Sequence, residues 1–106
     1  MSNTRIKKLL EFYQQNTSDP FVIYALALEY VNVDVVLAKK YFSLLLSKHP
    51  DYLATYYHAA ALFSDMDERE QAEEIYKKGI ALARKSGDAH ALKELQNAYN
   101  NFLYDE

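Results

Sequence analysis

Residues 20–50 read PFVIYALALEYVNVDVVLAKKYFSLLLSKHP, and residues 53–84 read LATYYHAAALFSDMDEREQAEEIYKKGIALAR. Laid over one another, the two stretches repeat. Ile23, Leu26, Ala27 and Tyr30 have the spacing of Tyr56, Ala59, Ala60 and Phe63 at an offset of 33 residues, while Ala38 and Phe42 match Ala72 and Tyr76 at an offset of 34. The turn between paired helices is therefore one residue shorter in the first copy. The i, i+3, i+4, i+7 spacing is that of one face of a helix. The recurring small residues, Ala27, Ala38, Ala60 and Ala72, allow two helix backbones to approach closely while the aromatics fill the space beside them.

The punctuation around these stretches predicts further helices. Two glycines and two prolines in 106 residues leave little to argue for strands or hairpins. Helices are expected near 4–15, 20–32, 34–48, 51–64, 68–85 and 88–103. The first carries Ile6, Leu9, Leu10 and Tyr13 on one face. Ser18 or Asp19 can cap the second, with Pro20 in its first turn, where a missing N–H costs nothing. Asp34 caps the third, which ends at His49-Pro50 because the residue before a proline is disfavoured in the helical region. The fourth begins around Asp51. Asp67 with Glu70 has the spacing of a capping box at the start of the fifth, and Gly87 suits a left-handed terminator at its end. Asp88 caps the sixth. Six helices joined by two to five residues must pack as antiparallel neighbours, and one domain over 1–106 is expected.

The repeated positions resemble the tetratricopeptide repeat: a large apolar residue, a Leu and a small residue, an aromatic, then Ala, Phe and a closing Pro. Pro50 supplies that proline in the first copy. The second copy has Arg84 there, so its last helix should run about a turn further, and the turn glycine of the family is replaced in both copies by short Asp-containing turns. Leu92, Leu95 and Tyr99 repeat the first-helix spacing, with Gln96 where a small residue is usual. Ile6-Lys7-Lys8-Leu9-Leu10 resembles Ala38-Lys39-Lys40-Tyr41-Phe42, a second-type helix. The resemblance implies an all-α fold of antiparallel hairpins stacked as a short right-handed superhelix, with two whole repeats between two half repeats. A lone repeat cannot bury its own hydrophobic face, and about three are needed for stability.

Composition narrows the function. Half the residues are apolar and a quarter charged, the balance of a folded protein. No stretch reaches the roughly 20 apolar residues of a spanning helix, and the N-terminal residues lack the apolar run of a secretory signal, so a cytoplasmic address without membrane contact is expected. No cysteine is present, which removes disulfides, thiolate nucleophiles and Cys-based zinc sites. A net charge of −3, with lysine pairs far apart in sequence, argues against nucleic acid. His49, His58 and His90 have no catalytic neighbourhood, and no glycine-rich phosphate loop, HExxH or Gly-x-Ser-x-Gly motif occurs. The acidic run from Asp65 to Glu74 is explained by the dipole at a helix start rather than by a cation site. No enzyme activity, cofactor or metal is expected.

The family resemblance implies that the first helices of each pair form an inner surface that holds a peptide or helix of a partner protein. Beside the core positions, Phe21, Tyr24, Leu28 and Val31 form a second apolar stripe on the second helix. The fourth helix offers Tyr57, His58, Ala61 and Ser64, and the sixth offers Lys93, Asn97 and Asn100. That surface is apolar and aromatic at its N-terminal end and polar at its C-terminal end, a pattern that marks interaction sites. The carboxylate clamp of some family members is not matched: Tyr24 and Leu28 stand where it needs Lys and Asn, and Lys93 with Asn97 occur only in the final helix. The candidate partner-binding residues are thus Phe21, Tyr24, Leu28, Tyr57, His58, Ala61, Lys93 and Asn97. The alternative is a homodimer in which Phe21, Tyr24 and Leu28 pair with the apolar turn Val31, Val33, Val35 and Val36 between copies.

Overall fold

Six short punctuation signals decide where the helices of this chain begin and end, and a computed structural model describes the result for residues 2–104. Among the described residues there are six α-helices and no strand: α1 (Ser2–Gln15), α2 (Pro20–Tyr30), α3 (Val35–Lys48), α4 (Ala54–Asp65), α5 (Arg69–Ser86) and α6 (Ala89–Tyr104). The Asp19 carboxylate accepts the Phe21 N–H at 3.0 Å ahead of Pro20, and Asp34 accepts from Val36 and Leu37 at 3.1 and 3.2 Å. Asp88 accepts from Ala91 at 3.0 Å. Each satisfies an N–H that the first helical turn leaves without a partner.

Two helix starts differ from expectation. α4 begins at Ala54 rather than near Asp51, after a turn closed by the Tyr52 N–H on the His49 carbonyl at 3.0 Å, and Leu53 precedes it without a side-chain cap. The Asp67–Glu70 capping box does not form. Asp67 has a positive φ of 61°, and α5 starts only after Glu68, whose side chain makes no cap bond. The reason lies in the preceding helix. The Glu68 N–H reaches back to the Phe63 carbonyl at 2.9 Å and the Asp67 N–H to Ser64 at 3.0 Å, a Schellman closure that requires a left-handed residue at this position. Asp67 takes that conformation and so cannot hold the extended geometry of an N-cap. Gly87, at φ 76°, closes α5 in the same way, with Asp88 N–H on Ala83 at 3.0 Å and Gly87 N–H on Arg84 at 3.2 Å. α5 has 18 residues against 14 in α3, the extension that Arg84 in place of proline predicts.

By internal contacts the chain divides into two compact units, Met1–Tyr52 and Leu53–Glu106. In the first, α2 packs against both α1 and α3. Leu26, Ala27, Ala38, Phe42 and Leu45 have no exposed surface, and Ile6 and Leu9 bring α1 onto this core. An aromatic stack closes it: Tyr30 lies parallel to Tyr41, with ring centres 5.8 Å apart, and Tyr13 meets Tyr41 edge-on at 5.9 Å. Burial raises the Tyr41 hydroxyl pKa, helped by Tyr30 and Tyr13.

In the second unit α4, α5 and α6 pack on one another. Ala59, Ala60, Ala72 and Ala83 are fully buried, with Tyr56, Phe63 and Tyr76 beside them. Gly79 permits a still closer approach: a Cβ there would lie 2.6 Å from the Tyr56 Cβ and 3.3 Å from a Leu95 methyl. α6 is anchored by Leu95 and Phe102, both buried. The Arg69 guanidinium lies 4.1 Å from the Phe102 ring centre and donates to the Phe102 carbonyl at 2.9 Å. The Tyr99 hydroxyl donates to Glu73 at 2.7 Å, and this bond to the carboxylate raises its pKa.

Candidate interaction surfaces

The twelve matched positions of the two copies are all buried, so a contact with a partner must rest mainly on what lies beside them. In the first unit Phe21, Tyr24 and Leu28 recur at helical spacing along α2. Phe21 is 64% exposed, while Tyr24 and Leu28 are half-buried. Tyr24 meets the Tyr52 ring edge-on at 5.7 Å, and the Tyr52 hydroxyl has its pKa raised by burial and by Asp19. Sequence periodicity does not mark Tyr52. It lies in a turn outside any apolar period, and only its place two residues after Pro50 could have marked it. Val33, Val35 and Val36, in the turn into α3 and its first residues, are 53%, 44% and 68% exposed. On another side of this unit, His49 and Lys48 line a cleft of about 490 Å³ with Tyr13, Thr17 and Ser18.

In the second unit Tyr57 and Ala61 line an open groove of about 480 Å³ with Ser64, Asp65, Tyr76, Ala98, Asn101 and Phe102. Tyr57 is 39% exposed. Its ring meets that of His58 edge-on at 5.2 Å. Loss of water around the His58 ring lowers its pKa from the ordinary value, and Glu94 pulls it the other way. The Tyr76 hydroxyl, at the back of the groove, is pushed up by burial, with Tyr57 and Asp65 adding to the effect.

The α6 side of this groove is made by Ala98, Asn101 and Phe102. Lys93 is exposed. Asn97 lines a separate cleft of about 490 Å³ with Lys77, Ile80, Ala81, Arg84, Gln96, Tyr99 and Asn100. The structure therefore brings Tyr57 and Ala61 together but does not bring Asn97 into their groove. The cause is rotational phase. Aligning Leu92, Leu95 and Tyr99 with the core leaves Leu92 and Tyr99 half-buried, whereas the helix is seated through Leu95 and Phe102, seven residues apart. Phe102 was legible as the next apolar residue on the Leu95 stripe. Among the described residues no group of three or more His, Asp and Glu side chains could hold a metal ion. None of the described helices is long and apolar enough to cross a membrane.

Successive antiparallel helix pairs, seated on alanine and glycine and padded with aromatics at repeated positions, define a helical-hairpin repeat protein. Comparison with solved structures is more specific. A tetratricopeptide repeat domain protein from Salinibacter ruber, solved by crystallography, superposes with a TM-score of 0.77 at 38% identity, over 83% of this chain and 99% of that one. The solution structure of a tetratricopeptide repeat domain protein from the same organism gives 0.75 at 39% identity, over 79% and 86%. The crystal structure of MamA gives 0.70 at 19% identity, over 96% of this chain and 67% of that one, a likeness of fold. No protein-family model and no curated protein matches the chain. The chain belongs to the tetratricopeptide repeat family. That family comprises interaction and scaffold modules rather than catalysts, and its members generally bind other proteins.

Proposed function

We propose that this protein is an adaptor that holds a peptide or helix of a partner protein on the apolar and aromatic side chains of its first-type helices. Phe21, Tyr24 and Leu28 serve in the first unit, and Tyr57, His58 and Ala61 in the second. Lys93 and Asn97 belong to the reading as a polar flank on α6. The observation that carries it is the open groove of about 480 Å³ walled by Tyr57, Tyr76 and Phe102, with the small residues Ala61 and Ala98 between them. Aromatic walls around small residues accept an apolar side chain, and the tyrosine hydroxyls, Ser64 and Asn101 offer hydrogen bonds to the backbone that carries it. The protein acts in the cytoplasm without cofactor, nucleic acid or membrane.

The test is affinity capture from a lysate with the unaltered protein and with Tyr24→Ala combined with Tyr57→Ala. The double variant, folded by circular dichroism, should lose the captured partners; the same partners at the same yield would overturn the reading. The exposure of Val33, Val35 and Val36 favours a second reading, a homodimer through these residues and the Phe21 stripe. Light scattering after gel filtration separates the two. A dimer at low micromolar concentration that Val36→Glu dissolves supports the second, and a monomer eliminates it.

A further inference from the structure

The cleft that contains Asn97 differs in chemistry from the groove on the other side of α6. α5 contributes Lys77, Ile80, Ala81 and Arg84, one stripe at helical spacing, and α6 contributes Gln96, Asn97, Tyr99 and Asn100. The lining thus holds two cations and three carboxamides, and no carboxylate. This composition stands out in a chain of net charge −3. Four acidic residues of this region have partners, and Glu73 has both of its own in the cleft lining, Tyr99 and Lys77. Glu73 accepts the Tyr99 hydroxyl at 2.7 Å, Glu74 lies 3.5 Å from Lys78, Asp88 caps α6, and Glu94 acts on His58. The Arg84 guanidinium has no hydrogen bond or ion pair among the described residues. Lys77 has one loose, solvent-exposed pair, with Glu73 at 3.8 Å. Exposed pairs of this length contribute little, so Lys77 can turn to a better acceptor.

We propose that this cleft is a second interaction surface, which binds an acidic peptide segment of a partner protein. Arg84 offers a planar fork suited to a carboxylate, Lys77 a mobile ammonium group, and the carboxamides of Gln96, Asn97 and Asn100 pair with backbone amides. The floor of Ile80 and Ala81 takes the peptide backbone and side-chain stems. A nucleic acid is the less fitting ligand: phosphate binding draws on a larger cluster of cations, and the cleft presents two on an acidic protein.

The test is fluorescence anisotropy with a labelled ten-residue peptide rich in glutamate, its counterpart with every Glu replaced by Gln, and a labelled single-stranded RNA. The glutamate peptide should bind, more weakly as salt is raised. The Gln counterpart, and the variant Lys77→Glu with Arg84→Glu, should each weaken binding by about tenfold, as expected for the loss of two or three charge-assisted contacts. Both substituted side chains are exposed, so the variant keeps its fold, which circular dichroism checks. Lys77→Gln with Arg84→Gln, a milder change, should give an intermediate loss. Tyr57→Ala should leave this binding unchanged, which separates the cleft from the groove proposed above. No binding of the glutamate peptide, binding indifferent to the charge reversal, or binding of RNA alone would each overturn the proposal.

Discussion

A single missing methyl group decides how closely two helices of this protein meet. Gly79 lies mid-helix, where glycine costs about 1 kcal/mol relative to alanine, so Gly79→Ala would stabilise α5 if only local propensity counted. The 2.6 Å approach of an added Cβ to the Tyr56 Cβ reverses the sign, because the obstacle is the root of a side chain and cannot swing away. Gly79→Ala is expected to destabilise by about 1–3 kcal/mol, the usual cost of overpacking, read as a lower urea midpoint; an unchanged or raised midpoint would show that α4 and α5 can separate freely. His58 sets a second expectation. Its pKa is lowered from 6.5 in the folded protein, so just below that pH the unfolded chain binds more protons and stability rises with pH. The contribution is complete above 6.5 and is lost as pH falls through the folded value. Wild type should therefore lose more stability between pH 7.5 and 5.5 than His58→Gln, and equal losses would contradict the assignment.

At the scale of the element, the helix ends separate what residue type dictates from what geometry dictates. Asp19, Asp34 and Asp88 cap as their positions before α2, α3 and α6 predict, because an acceptor one residue ahead of free N–H groups lies within reach of the second and third of them. Asp67 has the same chemistry and a different role, since the end of α4 claims its backbone first. Two substitutions distinguish the roles by urea unfolding. Asp67→Gly relieves a left-handed conformation that costs an ordinary residue roughly 1–2 kcal/mol, offset in part by the freedom glycine adds to the unfolded chain, so a net gain of about 0.5–1 kcal/mol is expected. Glu70→Ala should cost no more than about 0.3–1 kcal/mol, the worth of a first-turn carboxylate facing the helix dipole. A larger loss would mean that the capping box forms after all.

For the whole molecule, the proposal that residues 1–106 form one domain makes a thermodynamic prediction. Unfolding followed by near-ultraviolet signals of the tyrosines and by far-ultraviolet circular dichroism should trace one coincident transition. Two resolved transitions would instead make Met1–Tyr52 and Leu53–Glu106 independent folding units. Much of the architecture was legible in the residues alone. The spacing of Ile23, Leu26, Ala27, Tyr30, Ala38 and Phe42, repeated in the second copy, determined the four helices α2 to α5 and their buried faces, because helical period and close backbone approach are local demands on residue size. The candidate surfaces were legible only in part. The α2 and α4 residues beside the core follow from the period, but Tyr52 joins Tyr24 from a turn, and Ala98 with Asn101 displaces Asn97 from the Tyr57 groove. The first depends on the turn after Pro50, and the second on how far α6 is rotated about its axis when Phe102 is gripped by Tyr76 and Arg69. Spacing along one helix specifies which residues share a face. Only packing against the neighbouring helices decides where that face points.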